Sequence, residues 1–337
     1  MATIGNTNLT LLDHAKRIED GKIAKIVEMM TKKNEILIDM VNIPGNTQTG
    51  HKTTIRTGLP AVAWRQINKG VQPSKSSTKQ IEFAAGMLEG LGQVDEELIA
   101  LADDGPGLRL SENAPYIEAM SQTLANTLIY GNSLTNPERF TGLAYYYSSL
   151  NASVESSANV IDGGGTGSVN TSLYLVEWGE NTVHGFFPKN TKAGIDHQDL
   201  GKMLIDDGTG TNSKFMAFID QYKAKLGLAL RDWRFVSRIC NLDIVALATA
   251  GETSDTSANL INMMIKAVNK IPDLQSGRAA WYCNKEVKTA LDIKAMNKAN
   301  AQLTIQNLED GTFVTRFLGI PIRRVDAILN TESRIVA

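Results

Sequence analysis

The stretch NAPYIEAMSQTLANTLIY, residues 113–130, decides the fold because it predicts one long amphipathic helix. Asn113 can cap this helix, Pro115 suits its first turn, and Gly131 follows its last turn. Apolar side chains recur at helical spacing along one face, namely Ile117, Met120, Leu124 and Leu128. A helix of about 17 residues spans roughly 26 Å. It can brace a whole domain, and it must bury its apolar face on a sheet.

The sequence before this helix separates its charges. Residues 40–81 carry six cations and no acid. The cations are Lys52, Arg56, Arg65, Lys69, Lys75 and Lys79. Residues 82–104 carry seven acids and no cation, namely Glu82, Glu89, Asp95, Glu96, Glu97, Asp103 and Asp104.

The basic stretch also predicts an extended hairpin. β-favouring residues run through 53–67 and 77–83, and the turn-rich NKGVQPSKS separates them. A polar two-stranded ribbon is marginal in water and must lie on another surface; the other interpretation is a flexible loop beside a solvated acidic helix. If the acidic surface belongs to a neighbouring copy, the contact is head-to-tail and repeats. The candidate intersubunit residues are Arg56, Arg65, Lys69, Lys75, Lys79, Glu89, Asp95, Glu96 and Glu97.

Bulk composition limits the possible classes. The 337 residues allow about two domains, and 42% hydrophobic residues are enough for a core. A net charge of −2 does not indicate global nucleic-acid binding. The two cysteines, Cys240 and Cys283, lie far apart, which favours a reduced compartment. The sequence shows neither a signal core nor a membrane-spanning segment, so we expect a soluble intracellular product.

The rest of the chain predicts a mixed α+β fold. An N-terminal helical arm is expected to end near residue 45. A helical or mixed acidic segment follows the hairpin, and Gly105-Pro106-Gly107 closes it as a breaker. The expected strands are Ser172–Trp178, Val183–Phe187, Phe215–Lys225, Leu226–Ile244, Arg278–Cys283, Thr312–Leu318 and Ile320–Ala327. The expected later helices are Ser257–Lys270 and Lys285–Lys298, the second with Val287, Leu291 and Met296 turned inward.

The candidate catalytic and ligand-binding motifs are incomplete. Ser76 and Lys79 have S-x-x-K spacing, but the partner motifs of a serine acyl-enzyme are missing. The glycine run at 163–167 precedes a strand and has no lysine, unlike a phosphate loop. The acidic loop that starts at Asp206 has Ala217 where a calcium loop needs Glu. The sequence therefore predicts no enzyme, cofactor or metal site.

One basic strand leaves a nucleic-acid alternative open. Arg231, Arg234 and Arg238 alternate with Trp233 and Phe235, and such interleaving suits single-stranded nucleic acid. Long amphipathic strands whose cations lie over a sheet explain the same pattern. A nucleic-acid-binding protein that used this strand would act as a monomer or dimer.

The order of these elements resembles the tailed-bacteriophage major capsid proteins of the Hong Kong 97 type. After the long helix, YGNSLTNPERFTGLA at 130–144 is similar to the family's short turn. AAWYCN at 279–284 before a helix is similar to its strand–Asn–helix element. FLGIPI at 317–322 is similar to its L-x-G-x-P-V strand. LVEWGENTVHGFFPK and GLALRDWRFVSRICNLDI resemble the capsid proteins of short-tailed phages in particular.

The resemblance implies a domain plan. Residues 1–45 would be the N-terminal arm and 46–85 the extended loop. Residues 86–249 would be the peripheral domain, with its spine helix at 113–130 and long strands at 172–244. Residues 250–337 would be the axial domain.

The resemblance also implies a structural function. Copies would form pentamers and hexamers that close an icosahedral shell around double-stranded DNA, held without sequence preference. Portal, scaffolding and cement or decoration proteins would be further partners, without a membrane. The protein would be made in the bacterial host cytoplasm and end in the virion. An encapsulin-type compartment shell enclosing cargo enzymes stays open as an alternative.

The chain order predicts a permuted version of this fold. In the family's familiar order, the long peripheral strands follow the G-x-P strand. Here only eleven residues follow Asp326. We therefore expect the strands between 172 and 244 to supply the sheet that covers the spine helix, ahead of the axial domain.

Overall fold

A computed structural model gives the structure of the chain. It describes residues 18–19, 22–23, 32–151, 153–206, 213–249, 255–296, 303–307 and 313–336. Structural statements below concern these residues.

Both helices and strands occur along the chain. The helices are α1 (Ile36–Asp39), α2 (Glu96–Leu101), α3 (Gly105–Tyr130), α4 (Leu143–Tyr146), α5 (Ile244–Thr249), α6 (Asp255–Lys270) and α7 (Lys285–Ala295). Short 3-10 helices cover Glu155–Asn159 and Trp233–Phe235. The strands are β1 (Ile18–Glu19), β2 (Lys22–Ile23), β3 (Asn42–Pro44), β4 (Gly50–Gly58), β5 (Ser77–Ala84), β6 (Gly86–Asp95), β7 (Val160–Asp162), β8 (Asn170–Trp178), β9 (Val183–Phe187), β10 (Ile195–Asp206), β11 (Lys214–Leu230), β12 (Val236–Asp243), β13 (Arg278–Cys283), β14 (Leu303–Asn307), β15 (Phe313–Phe317) and β16 (Ile320–Arg324).

The chain forms two compact units made of interleaved segments. Unit 1 comprises Met1–Lys32, Met87–Leu124 and Lys192–Lys225. Unit 2 comprises Lys33–Gly86, Ala125–Thr191 and Leu226–Ala337.

The long helix α3 starts eight residues earlier than the sequence predicts. Asp104 is its cap, because its Oδ1 accepts a hydrogen bond from the Gly107 N–H at 2.9 Å. Pro106 then falls in the first turn, where the missing N–H costs nothing. Gly105-Pro106-Gly107 therefore begins a helix rather than ending a segment. Pro115 lies inside the helix, where its ring removes one backbone hydrogen bond.

In unit 1 the antiparallel ribbon β10–β11 packs on α3. Residues 195–206 of β10 pair with 214–224 of β11, and β6 pairs with β11. Gly201 sits at a bulge with φ +73°, a backbone conformation that favours glycine. Met120 of the helix is buried with Tyr222 of the ribbon, and the Tyr116 and Tyr222 rings stack at 5.8 Å. Of the strands between 172 and 244 that were expected to cover the helix, β11 does so through Tyr222 and Ala224, which pack on Met120. Ile117 of the predicted stripe is 50% exposed.

In unit 2 one mixed sheet surrounds β8, whose nine residues are all buried. β12 and β13 both pair with β8 in antiparallel fashion, and β13 continues through parallel β16 to β15 and β14. β9 takes residues 227–230 of β11 and β3 as partners. β8 carries apolar residues at 173–176 and also buries four polar side chains, Asn170, Thr171, Ser172 and Glu177.

Helices α6 and α7 pack on this sheet. Leu260 and Met264 of α6 and Leu291 of α7 are buried in one core with Trp281 of β13. The predicted strand Arg278–Cys283 and the two helices are confirmed. Met296 is wrong as an inward residue, because it lies just past the end of α7 and is 77% exposed.

Two of the quoted motifs have clear local causes. Asn284 caps α7, since its Oδ1 accepts from the Val287 N–H at 2.9 Å, and its amide donates to Thr171 Oγ1 at 2.8 Å. In FLGIPI, Leu318 and Gly319 both have positive φ and join β15 to β16 in a two-residue hairpin, the geometry that favours a primed turn.

Strands on the two sides of the predicted domain boundary, between residues 249 and 250, pair with each other. β8 and β12, expected with the spine helix, share a sheet and core with β13 and β16. Of the strands expected at 172–244, only the ribbon segment lies in unit 1. Sheets pair strands far apart in sequence, so a boundary placed by sequence order divides this one.

The N-terminal arm departs from the predicted helix where it is described. Ile18–Glu19 and Lys22–Ile23 form a small antiparallel pair. The rest of the predicted helical arm before residue 32, namely residues 1–17, 20–21 and 24–31, lies outside the described residues. Residues 36–39 form one helical turn.

Candidate assembly surface

The extended hairpin of unit 2 presents the predicted cations to solvent. β4 and β5 pair in antiparallel register from Gly50↔Ala84 to Gly58↔Ser77. The connection 59–76 has no regular strand. Arg56, Arg65, Lys69, Lys75 and Lys79 are all exposed and make no ion pair within the described part of unit 2. Their charges are available to another molecule.

The hairpin tip, residues 59–71, also exposes apolar side chains. Leu59, Val62, Trp64 and Ile67 are each more than four-fifths exposed, and Trp64 is fully exposed. Ser74 Oγ donates to the Ala61 carbonyl at 2.7 Å and crosses the connection. The sequence interpretation treated this ribbon as polar and missed the tip. The run GLPAVAW was the available signal.

A cavity of about 320 Å³ lies at the base of the hairpin. Its walls include Ile55 and Ile81 of the two strands, Phe83, Tyr146 and Trp233. Glu155, Arg231 and Val154 also line it. We call this space the base cavity.

Two imidazoles lie where the hairpin meets the sheet, with His184 buried and His51 half-buried. The rings of His51 on β4 and His184 on β9 are 5.3 Å apart, edge to face, and Phe186 lies 5.6 Å from His51. Neither nitrogen of His184 makes a well-formed hydrogen bond to the described residues. Burial, then the proximity of His51 and Arg231, lowers the pKa of His184 to about 4. Both rings are neutral near pH 7.

The predicted acidic residues lie in unit 1, and several already have partners there. Asp95 caps α2 by accepting from the Glu97 N–H at 2.9 Å. Glu96 forms an ion pair with Lys202, and Glu89 accepts a hydrogen bond from Gln221. Glu97 is exposed. The structure thus places the two predicted sets in different units.

A charged cluster ties α3 to the ribbon in unit 1. Asp220 is almost fully buried and accepts from Arg109 Nε at 2.7 Å, Asn113 Nδ2 at 2.7 Å and His197 Nε2 at 2.8 Å. Arg109 also pairs with Asp199 at 2.6 Å. Burial raises the pKa of Asp220, but these hydrogen bonds outweigh it and lower the pKa overall. Asn113 was predicted as the cap of the long helix, but it lies inside α3, and its amide instead donates a hydrogen bond to Asp220.

A second charged cluster lies at the centre of unit 2. Arg238 Nη2 and Glu332 Oε2 are 2.9 Å apart, and the two side chains are only 4% and 6% exposed. Arg238 also donates to Ser172 Oγ at 3.0 Å and the Tyr147 carbonyl at 2.9 Å. Tyr130 donates to Glu332 Oε1. The C-terminal segment is thereby held against the sheet.

This pair contradicts a nucleic-acid surface on the Arg231–Arg238 strand. Arg238 is buried and neutralised. Arg234 pairs with Asp232 at 2.6 Å, and Arg231 donates to the Glu180 carbonyl at 2.9 Å. Trp233, Arg234 and Phe235 form a 3-10 helix between two strands, and Arg238 alone of the three arginines lies on β12.

The described residues hold no group of three or more His, Cys, Asp or Glu side chains placed to bind a metal ion. Within the same ranges, no helix is both long and apolar enough to span a membrane.

Comparison with known proteins gives a family and a fold. The family model described as "Major capsid protein GP7" matches residues 18–336. A chain of the bacteriophage Epsilon15 structure superposes with a TM-score of 0.80 at 36% identity, covering 100% of both chains. A chain of the bacteriophage JBD30 capsid gives a TM-score of 0.50 at 10% identity, covering 95% of this chain and 99% of that one. No curated protein matched.

Proposed function

The chain belongs to the GP7 family of phage major capsid proteins, and on that basis we propose that its copies form pentamers and hexamers that close an icosahedral shell around double-stranded DNA. The fold is the Hong Kong 97-like α+β capsid fold. Family membership favours this shell over a cargo-enclosing compartment. The role is structural, and no catalytic residue is assigned.

The exposed hairpin carries the proposal. An isolated ribbon of this length is marginal in water. Lys52 pairs with Glu82 inside the hairpin, but the five candidate cations make no ion pair within the described part of unit 2. Arg56, Arg65, Lys69, Lys75 and Lys79 contact a neighbouring copy. Glu89, Asp95, Glu96 and Glu97 supply the opposite charge, with Glu97 the most available because it is exposed and the others already have partners.

The domain plan is proposed in revised form. Unit 1, with α3 and the ribbon, corresponds to the peripheral domain. The sheet of unit 2 corresponds to the axial domain and includes β8 and β12 as well as residues 255–324. The hairpin, residues 46–85, is the extended loop. The ribbon precedes β13, α7 and β16 in the chain, and we propose that this order is permuted relative to the family's familiar one.

Packaged DNA is held by weak, local charge without sequence recognition. A net charge of −2 does not support tight binding. Portal, scaffolding and decoration proteins are further proposed partners. Synthesis in the host cytoplasm precedes assembly of the virion.

Charge reversal in the hairpin tests the assembly proposal. The double variant Lys69→Glu, Lys75→Glu should stay folded and soluble but lose shell closure. Each exposed pair is worth only about 0–1 kcal/mol, but a shell repeats the contact at every interface. Electron micrographs of the purified variant, compared with its melting curve, separate assembly from folding.

The matched control changes the same charge elsewhere. Lys266→Glu, Lys285→Glu alters two exposed lysines of unit 2 outside the hairpin. Shells should form from this control. Normal shells from the hairpin variant would contradict the proposal, and equal losses from both variants would indicate net charge rather than the hairpin.

A further inference from the structure

We propose that the hairpin tip docks in the base cavity of a second copy of the chain, with Trp64 as its anchor. The proposal rests on the proposed function, because it requires that copies associate. It names the receptor for the extended loop and the side chain that fills it.

The tip has the composition of a docking element. Trp64 is fully exposed in the single chain and lies between Val62 and Ile67, which are also exposed. Contiguous apolar surface of this kind marks an interaction site. Burying one tryptophan removes about 150–250 Å² from water, and tryptophan is enriched among residues that dominate interfaces.

The base cavity has the complementary character. Ile55, Ile81, Phe83 and Trp233 give it apolar and aromatic walls within a volume of about 320 Å³. That volume lies in the range of pockets that enclose a compact apolar group, about 300–1,000 Å³.

Charge supports one orientation of the tip. Glu155 lines the cavity and is exposed, so its carboxylate can meet Arg65, the residue after Trp64. Arg231 also lines the cavity, but its guanidinium already donates to the Glu180 carbonyl at 2.9 Å and to Asn181 Oδ1 at 3.3 Å.

The occupant is a second copy because Trp64 is fully exposed in the single chain and so does not fill its own cavity. Ile55 lies on the cavity wall, and Trp64 follows nine residues later in the exposed connection after β4. A tip of one copy in the cavity of the next forms a head-to-tail contact, the type that generates rings or filaments.

Cysteine cross-linking in the full chain tests the contact directly. Ala63→Cys beside Trp64 and Val154→Cys at the cavity should form disulfides between copies on oxidation of assembled shells. The ladder on a non-reducing gel should reach five- and six-chain species. The native Cys240 and Cys283 are both buried and free, so they give little background. The control pairs Ala63→Cys with Thr135→Cys, which is exposed and does not line the cavity.

A loss variant gives the second measurement. Trp64→Ser should leave the melting temperature of the subunit unchanged and lower the shell yield at least tenfold, while Trp64→Phe keeps most of it. If Trp64→Ser did not fold, the cross-linking result would decide alone.

The two proposals fail in different ways. Shells of the Ala63→Cys, Val154→Cys variant that do not cross-link, or that cross-link no more than the control, would overturn the docking and leave the shell function intact. Normal shell yield from Trp64→Ser would also overturn it. A wild-type chain that forms no shells would overturn both.

Discussion

Unit 2 holds charged side chains in two opposite environments, a buried ion pair at its centre and exposed cations on its hairpin. At its centre, Arg238 and Glu332 are 4% and 6% exposed and are surrounded by hydrogen-bond partners. On its hairpin, the five candidate cations are exposed and make no ion pair within the described part of the unit. The charges inside the subunit are buried and have ion-pair and hydrogen-bond partners. The exposed charges stay hydrated, so they lower the stability of the subunit little.

The largest expected effect is at the buried pair. Replacing Arg238 with Met leaves the Glu332 carboxylate buried without its counter-charge, and we expect the free energy of unfolding to fall by about 3–5 kcal/mol. Urea unfolding followed by circular dichroism measures it.

A paired substitution provides the control. Replacing both residues, Arg238→Met with Glu332→Leu, removes the stranded charge, so most of the lost stability should return. A double variant as unstable as Arg238→Met alone would show that the pair contributes more than mutual neutralisation.

The buried imidazole adds a pH-dependent weakness next to the hairpin. His184 has a folded pKa of about 4 against an ordinary 6.5, so the unfolded chain binds the proton first as pH falls. Stability should therefore decrease between pH 6.5 and 4, by at most about 3 kcal/mol. Urea midpoints across this range measure the decrease.

His184→Phe should flatten this part of the pH profile. Asp220 acts in a separate window, because its lowered pKa gives stability that is lost only below its ordinary value near 4. A variant with the wild-type slope between pH 6.5 and 4 would assign the effect to another group.

The cluster in unit 1 should give an intermediate effect. Arg109 is 19% exposed, against 4% for Arg238, so water compensates part of its loss. We expect Arg109→Met to lower the free energy of unfolding by about 2 kcal/mol, the range of hydrogen bonds to charged groups. If Arg109→Met lowers the free energy of unfolding as much as Arg238→Met does, then the burial of the arginine does not determine the size of the effect.

The start of the long helix gives a smaller effect. Asp104→Ala removes the observed cap and should cost about 1 kcal/mol of unfolding free energy. Glu112→Ala, in the interior of the same helix, is the control for general changes in helix charge. An unchanged melting curve for Asp104→Ala would place the true start closer to Asn113.

The hairpin cations should have almost no effect on the isolated subunit. Lys69→Glu and Lys75→Glu should change the free energy of unfolding by no more than about 0.5 kcal/mol each, as expected for exposed surface positions. Thermal melts of unassembled protein measure this. A larger destabilisation would mean that these lysines belong to the subunit rather than to assembly.

Sequence patterns predicted the elements whose environment is local. The stripe through Met120, Leu124 and Leu128 and the strand Arg278–Cys283 both follow from local sequence patterns. The Asn284 cap was not predicted, because Asn284 was noted only as part of a motif that resembles the family's. The helix start was missed because Gly105-Pro106-Gly107 resembles a breaker, although Asp104 makes it a cap followed by a first turn.

What the sequence could not predict depends on distant partners. β10 was missed because most of its side chains are exposed, so it lacks an apolar alternation. The predicted domain boundary divides the sheet of unit 2, because β8 and β13 pair although about a hundred residues separate them. No local sequence pattern predicts this pairing. For the candidate surface, the cations were visible in the sequence, but the base cavity exists only after folding.

The segment that carries Glu332 completes the buried core of unit 2 only late in synthesis. Arg238 leaves the ribosome 94 residues before its carboxylate partner. Until Glu332 docks, the central guanidinium lacks its counter-ion, and the Ile335 N–H bond to Asn241 Oδ1 at 2.8 Å is also unmade. A chain that stops before residue 332 therefore keeps a buried guanidinium without its counter-ion. The Arg238–Glu332 pair thus makes the stability of the central core depend on translation continuing past that residue.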